Sequence, residues 1–236
     1  MNVLIPMAGA GKRFADAGYI LPKPLIKINN KPMIQWVVDS LNLNGNYIFI
    51  IQKEHQEKYN IKSVLKVIQP NCKIVELDQL TEGAACTTLL AKEYINNSNP
   101  LLIANSDQYI SWNSSKAISD FNSKNLDGAI LTFQASHPKW SYAKCDDDGY
   151  VTEVAEKKVI SKNATVGVYY WKHGSDYVQS AENMIKKNIR VNNEFYVCPV
   201  YNEFFLRNKK VKTHNVDKMS GLGTPEDLNN FIQTIK

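Results

Sequence analysis

The sequence predicts an α/β fold, a three-layer α/β/α sandwich on a mostly parallel central sheet, from three observations. Short apolar runs alternate with helical patterns through the first ~110 residues, and parallel neighbours need such crossover connections. A glycine loop follows the first apolar run directly, where sheets of this class gather ligands beyond the strands' carboxyl ends. At 236 residues, 44% hydrophobic and 22% charged, the chain can bury a sizeable core, and it shows no repeat, low-complexity tract or linker. One domain is expected over 1–236, in two halves, 1–110 and 111–236, whose strand and helix patterns differ.

Taken in order, residues 1–5 form a buried strand through Val3 and Ile5, stopped by Pro6, which cannot donate into a ladder. Gly9 and Gly11 let the backbone turn and bring bare N–H groups to an anion, and Lys12 and Arg13 follow. Pro22 and Pro24 stiffen the chain on both sides of Lys23. Lys31-Pro32 opens a helix to about residue 43, with Met33, Trp36, Val37 and Leu41 on one side and Gly45 past its end. Residues 47–51 read as a strand, 55–68 as a helix, 73–77 as a strand and 82–95 as a helix. Residues 101–104 form a strand that stops at Asn105-Ser106-Asp107. The second half changes character: 129–134, 141–145, 151–154 and 165–171 are strand-like, with a hairpin turn at 146–149. Helices are expected at 174–187, 196–207 and 224–235, and a strand at 211–216.

A net charge of +5, with no block of five like charges, gives no case for nucleic acid. Locally, residues 1–33 hold Lys12, Arg13, Lys23, Lys27 and Lys31 against Asp16 alone, which favours a small phosphate compound. Cys72, Cys86, Cys145 and Cys198 form no C-x-x-C pair, so neither a zinc site nor a disulfide framework is suggested. With no basic n-region and no apolar window near ~18 residues, no membrane partner is expected and the cytoplasm is the expected location.

The loop is not a dinucleotide fingerprint, because Phe14 stands where the third glycine belongs. It is not a P-loop either, because Arg13 follows Gly11-Lys12 and position 6 is proline. Ala8-Gly9-Ala10-Gly11-Lys12-Arg13 with Pro22-Lys23-Pro24-Leu25 resembles instead the signature of the sugar-phosphate nucleotidylyltransferases, the nucleotide-sugar pyrophosphorylases. The resemblance implies a Rossmann-like fold and a loop of Ala8, Gly9, Ala10, Gly11 and Lys12 around a nucleoside triphosphate, with Arg13 and Lys23 acting on its phosphates. It also implies that Gln79 and Gly83 meet the base and that Asp107 binds Mg²⁺. Glu156 and Lys157 would contact a phosphorylated acceptor, beside Gly167 and Glu194. The residues alone leave other roles open. Asp107 suits an Asx-type turn as well as a cation; Gln79 to Ala85 suits a helix entry with Thr81 as cap; adjacent Glu156 and Lys157 suit plain solvation.

Gly223-Thr224-Pro225-Glu226-Asp227-Leu228 resembles the same family's closing helix start, with Thr224 as cap and Pro225 at the first position. Many members carry an aspartate two residues before that glycine as a second magnesium contact; here the position is Gly221. Asp217, at the exit of the 211–216 run, is the nearest upstream carboxylate, either a second metal contact or the start of a turn. The activity implied is attack by an acceptor phosphate on the α-phosphorus of a nucleoside triphosphate, releasing pyrophosphate and forming a nucleotide sugar for surface polysaccharide. Three alternatives stand beside it. A cytidylyltransferase for choline or glycerol phosphate shares the loop. A glycosyltransferase usually carries D-x-D, whereas Ser106-Asp107-Gln108 lacks the second acid. A non-catalytic module would be expected to have lost Arg13, Lys23 or Asp107. Oligomeric state is not legible.

Overall fold

The computed structural model describes residues 1–235. Its first strand, β1 (Asn2–Pro6), shows how the layers form: Val3 and Ile5 enter one buried cluster and Leu4 the other, the alternation of a strand covered on both faces. After it come α1 (Lys12–Asp16), a 3₁₀ turn at Lys23–Leu25, β2 (Lys27–Ile28), β3 (Lys31–Pro32), α2 (Met33–Leu41), β4 (Asn46–Gln52), α3 (Lys53–Tyr59), α4 (Ile61–Ile68) and β5 (Lys73–Leu77). The chain continues through α5 (Ala84–Leu89), α6 (Lys92–Ile95), β6 (Leu101–Ala104), β7 (Gln108–Ser111), α7 (Ser114–Ser123), β8 (Gly128–Gln134), β9 (Tyr142–Cys145), β10 (Val151–Ala155) and β11 (Asn163–Trp171). It ends with α8 (Gly174–Lys186), α9 (Val200–Phe205), β12 (Val211–Asn215), β13 (Lys218–Gly221) and α10 (Pro225–Thr234).

The expected sandwich is what forms. Strands β5, β4, β1 and β6 lie side by side and parallel, and β11 then runs antiparallel against β6. Around β11 the sheet turns antiparallel through β8, β9 and β10, with β12 parallel to β8 at the far side. Helices α2, α4 and α7 cover one face through Ile34, Val37, Leu41, Ile61, Leu65 and Phe121. The other face is covered from α5, α8 and α9 by Ala85, Tyr177, Met184, Tyr201 and Phe204. Each fully buried side chain of this size contributes roughly 1.5–3 kcal/mol of transfer free energy. A third cluster of Phe14, Ile28, Met33, Leu222, Leu228 and Phe231 ties α1 and the β2–β3 hairpin to α10, so the first loop and the last helix meet.

Several expected elements differ in detail. The helix of 55–68 is two, because Asn60 takes a left-handed conformation (φ 50°) that breaks the ladder. The helix of 31–43 starts at Met33 and is capped by left-handed Asn42 (φ 47°), not near Gly45, whose missing side chain makes room for the Met1 carbonyl. The helix of 82–95 starts at Ala84 with Gly83 as its cap, and Thr81 instead donates to the Gly83 carbonyl, 2.9 Å away. The helix of 196–207 shortens to α9 behind Pro199. Four strands and two helices, β2, β3, β7, β13, α1 and α7, were not expected from the sequence. Of these, β7 and β13 pair antiparallel as a two-stranded strap outside the main sheet, Lys218 opposite Ser111 and Gly221 opposite Gln108. No described helix is long and apolar enough to cross a membrane.

Candidate active site

The glycine loop leaves the sheet where Pro6 ends β1. Ala8 is buried, Gly9 and Ala10 are exposed, and Gly11 adopts φ 62° to cap α1 with its carbonyl. Among the described residues, the amides of Gly9, Ala10 and Gly11 donate to no backbone carbonyl, and such a run of free N–H groups is an anion cradle. Gln52, at the end of β4, holds the loop in this form: its amide nitrogen donates to the carbonyls of Ala8 (3.0 Å) and Gly9 (3.1 Å). With the carbonyls occupied on the sheet side, the N–H groups remain for the cleft. Sequence reading missed Gln52; its one signal was a polar residue closing an otherwise apolar strand.

Lys23 sits in the 3₁₀ turn behind Pro22, whose extended ψ of 145° sets the chain's entry. Its ammonium lies 2.8 Å from Asp107 Oδ2, both side chains about a quarter exposed at 21% and 28%. Asp107 follows β6, and its carbonyl accepts from the Leu222 amide at 2.8 Å, which draws the end of the β13 strap over it.

Two cavities meet at this ion pair. The larger, about 640 Å³, is lined by Ala8 to Ala10, Lys23, Thr81 to Ala84, Asn105 to Asp107, Glu194 and Tyr196. The smaller, about 310 Å³, is lined by Arg13, Lys139 to Ser141, Glu156, Lys157, Gly167, Tyr169, Gly221, Gly223 and Asp227. Asn105 and Asp107 belong to both, so they form the partition. Asn105 was read only as the end of a strand. Its place depends on Gly167, which has φ 74° where the β11 register shifts; a Cβ there would lie 2.3 Å from Asn105 Nδ2.

The smaller cavity is walled by side chains from separate strand ends. Glu156 accepts a hydrogen bond from the Ser141 hydroxyl. Burial pushes its carboxyl up, the Ser141 bond and the Lys157 charge oppose this, and the Glu194 charge adds to it. Lys157 takes a left-handed conformation (φ 54°) and donates from Nζ to Tyr196 Oη at 2.6 Å, lying 4.7 Å above the ring. Lys139 pairs with Asp227 at 3.2 Å and lies 4.7 Å above the Trp140 ring.

The predicted residues therefore divide. Arg13, Lys23, Asp107, Glu156, Lys157 and Gly167 come together; Lys12 is exposed and lines neither cavity. Glu194 opens onto the larger cavity rather than the smaller. Gln79 is exposed and outside both walls, where Leu80 and Thr81 stand instead. Gly83 (φ 133°) is required by the backbone of Phe195, 2.5 Å from where its Cβ would be. Asp217 is placed apart: it lies at the Ser111 end of the strap and Asp107 at the Gln108 end. Four residue pairs lie between them, five steps or about 17 Å of strand, so the strap does not bring Asp217 to Asp107.

Among the described residues no three His, Cys, Asp or Glu side chains gather as a metal cage. Asp107 nonetheless suits a hard cation completed by ligand oxygens, and Gln108 beside it supports this. Gln108 is 2% exposed and lines the smaller cavity, yet its Oε1 is buried without a donor, while its Nε2 donates to the Asn105 carbonyl at 2.8 Å.

A free-amide cradle, a lysine in a proline-flanked turn and a strand-exit carboxylate between two cavities form a cleft suited to anionic ligands at the edge of an α/β sheet. The chain belongs to the nucleotidyl transferase family, whose sequence profile matches residues 2–228. The bifunctional protein GlmU of Thermosipho melanesiensis is 29% identical over 243 residues, which cover 100% of this chain and 51% of that protein. A mannose-1-phosphate guanyltransferase of Aspergillus oryzae is 29% identical over 152 residues, 58% of this chain and 39% of that protein. The chain spans about half the length of the GlmU relatives it matches. Of solved structures, a nucleoside-diphosphate-sugar pyrophosphorylase of Vibrio cholerae superposes with TM-score 0.83 at 22% identity, over 98% of this chain and 99% of that one. A UDP-glucose pyrophosphorylase complexed with UDP-glucose gives 0.78 at 17%, over 99% and 97%. These two show the shared fold.

Proposed function

We propose that the chain is a nucleotidylyltransferase that joins a nucleoside triphosphate to a sugar 1-phosphate and releases pyrophosphate. The observation that carries this reading is the Lys23–Asp107 ion pair at the partition of two cavities, one floored by free loop amides. The larger cavity takes the triphosphate, with Gly9 and Ala10 cradling it and Gly83 and Glu194 at its lip; Gln79 stands outside its wall. The smaller cavity takes the acceptor, held by Glu156, Lys157 and the face of Gly167. On this reading residues 1–110 supply most of the nucleotide half and 111–236 most of the acceptor half of one domain, with Glu194 crossing to the first cavity and Arg13 to the second.

An acceptor phosphate monoester with second pKa near ~6 is already ionised at pH 7, so no residue need remove a proton. Arg13 and Lys23 neutralise charge that builds on the phosphates, and the partition aligns nucleophile and leaving group. Mg²⁺, held at Asp107, would supply further charge neutralisation. Glu156, Ser141 and Asn105 offer hydrogen-bonding groups suited to a polyhydroxylated acceptor. The aromatic face of Trp140 in this cavity is already covered by Lys139, which weighs against a choline-type cation there. A cytoplasmic enzyme feeding surface polysaccharide synthesis fits this reading.

The test is pyrophosphate release from each of the four nucleoside triphosphates against sugar 1-phosphates, choline phosphate and glycerol phosphate. Release that depends on a sugar 1-phosphate supports the proposal. Release only with choline or glycerol phosphate, or with no acceptor, contradicts it.

A further inference from the structure

The smaller cavity contains a carboxylate that neither the loop nor the partition accounts for. Gly221 ends β13 opposite Gln108, and the space its side chain would fill is bordered by Asp227, whose Oδ2 lies 3.5 Å from the Cβ position. Two residues on, Gly223 leaves the same kind of space for Asp107, whose Oδ2 would lie 3.0 Å from a Cβ there. The Gly221-Leu222-Gly223 segment thus carries one carboxylate over each glycine, both lining the same cavity. The unpartnered Oε1 of Gln108, 2% exposed and lining that cavity, adds a neutral oxygen.

We propose that Asp227 is the second protein carboxylate of a divalent-cation site shared with Asp107 and completed by Gln108 Oε1. The proposal deepens the reading of this site as one that handles phosphates with a hard cation. Such a cation takes oxygen ligands, needs only one or two carboxylates, and leaves its other positions to phosphates and water. Each carboxylate is now satisfied by a lysine: Asp107 by Lys23 at 2.8 Å and Asp227 by Lys139 at 3.2 Å. These partly exposed pairs are weak enough for a divalent cation to displace. Displacement frees Lys23 toward the larger cavity and Lys139 into the smaller, so each cation released by its carboxylate can meet a phosphate. Asp227 reaches the cavity because Thr224 caps α10, its Oγ1 accepting from the Asp227 amide at 3.1 Å.

The experiment titrates the substrate-free protein with Mn²⁺ and follows paramagnetic broadening of its amide resonances. Broadening should centre on both Asp107–Gln108 and Gly221–Asp227. D227N should weaken Mn²⁺ affinity about tenfold or more. K139M, which removes the competing ammonium, should tighten it several-fold, and it carries the test alone if D227N does not fold. Broadening confined to Asp107, or an affinity unchanged in K139M, overturns the proposal. No substrate is present, so a protein that binds Mn²⁺ as described yet releases no pyrophosphate with any acceptor fails the functional reading while the cation site stands.

Discussion

The two walls of the site are built by different means. The glycine-loop wall comes from one contiguous stretch, residues 8–25, and works mainly through backbone: free amides, a left-handed Gly11 and a proline-flanked lysine. The other wall, proposed for the acceptor, is assembled from separate elements, Ser141 before β9, Glu156 and Lys157 after β10, Gly167 within β11 and Asp227 in α10, and it presents side chains. A backbone wall tolerates side-chain change but depends on whatever holds the loop. A side-chain wall is the place where specificity can be altered one residue at a time.

The largest effect should come where the walls meet. If, as proposed, both act on phosphate charge as it develops, Lys23→Ala and Asp107→Asn should each lower turnover by ~10²-fold or more. Their melting temperatures should stay close to wild type, since a partly exposed ion pair contributes about 0–1 kcal/mol. Steady-state kinetics with thermal melts checks both; a Lys23→Ala enzyme of near wild-type turnover would contradict the assignment.

Breaking one wall at a time sharpens the contrast. Gln52→Leu removes both hydrogen bonds to the loop carbonyls, worth about 1 kcal/mol each, and should raise the KM for the triphosphate by up to roughly 30-fold while the acceptor KM stays put. Glu156→Gln should do the reverse and raise the KM of the acceptor alone. Burial holds the Glu156 carboxyl above the ordinary carboxylate range, so its charge is lost as pH falls through that raised value. Acceptor kcat/KM should fall on this acid limb, and Glu156→Gln should flatten it. The same shift has a stability consequence. Ionised Glu156 costs the folded state increasingly as pH rises from the ordinary carboxylate pKa to the raised one, so Glu156→Gln should melt no lower than wild type at neutral pH. An acid limb that survives in Glu156→Gln would assign it to another group.

The smallest effect is expected outside both walls. Asp217→Ala should leave the Mg²⁺ titration of activity unchanged, because the strap places that carboxylate at the end away from Asp107. A raised Mg²⁺ requirement would mean that the strap rearranges when substrate binds.

The contrast also explains what could be read in the sequence. The parallel strands β1, β4, β5 and β6 and the motif at 8–25 are local signals, an apolar run or a glycine-proline spacing, and a single chain displays them. The Asn29-Asn30 turn, with φ 47° and 64°, was as local as these and marks the unread β2–β3 hairpin. The β7–β13 strap was not legible, because two four-residue strands become visible only once they pair across about a hundred residues. Without the strap, Gly221 read as a lost ligand and Asp217 as its nearest replacement. With it, Asp227 stands beside the gap, six residues further along the chain and on the next helix. Glu194 moved to the other cavity for a similar reason: its segment is held against Glu82 and Ala85 by the backbone bonds of Phe195, a pairing no spacing encodes.

The central claim is that the two cavities bring a triphosphate and an acceptor phosphate together at Lys23 and Asp107. Its most direct test is a triphosphate labelled in the α-phosphate, incubated with the protein, Mg²⁺ and a sugar 1-phosphate. Label should appear in a new nucleotide-diphosphate product, with one pyrophosphate released per product formed, and both should be lost in Lys23→Ala. Label recovered as free nucleoside monophosphate, or product formed equally well by Lys23→Ala, would contradict it.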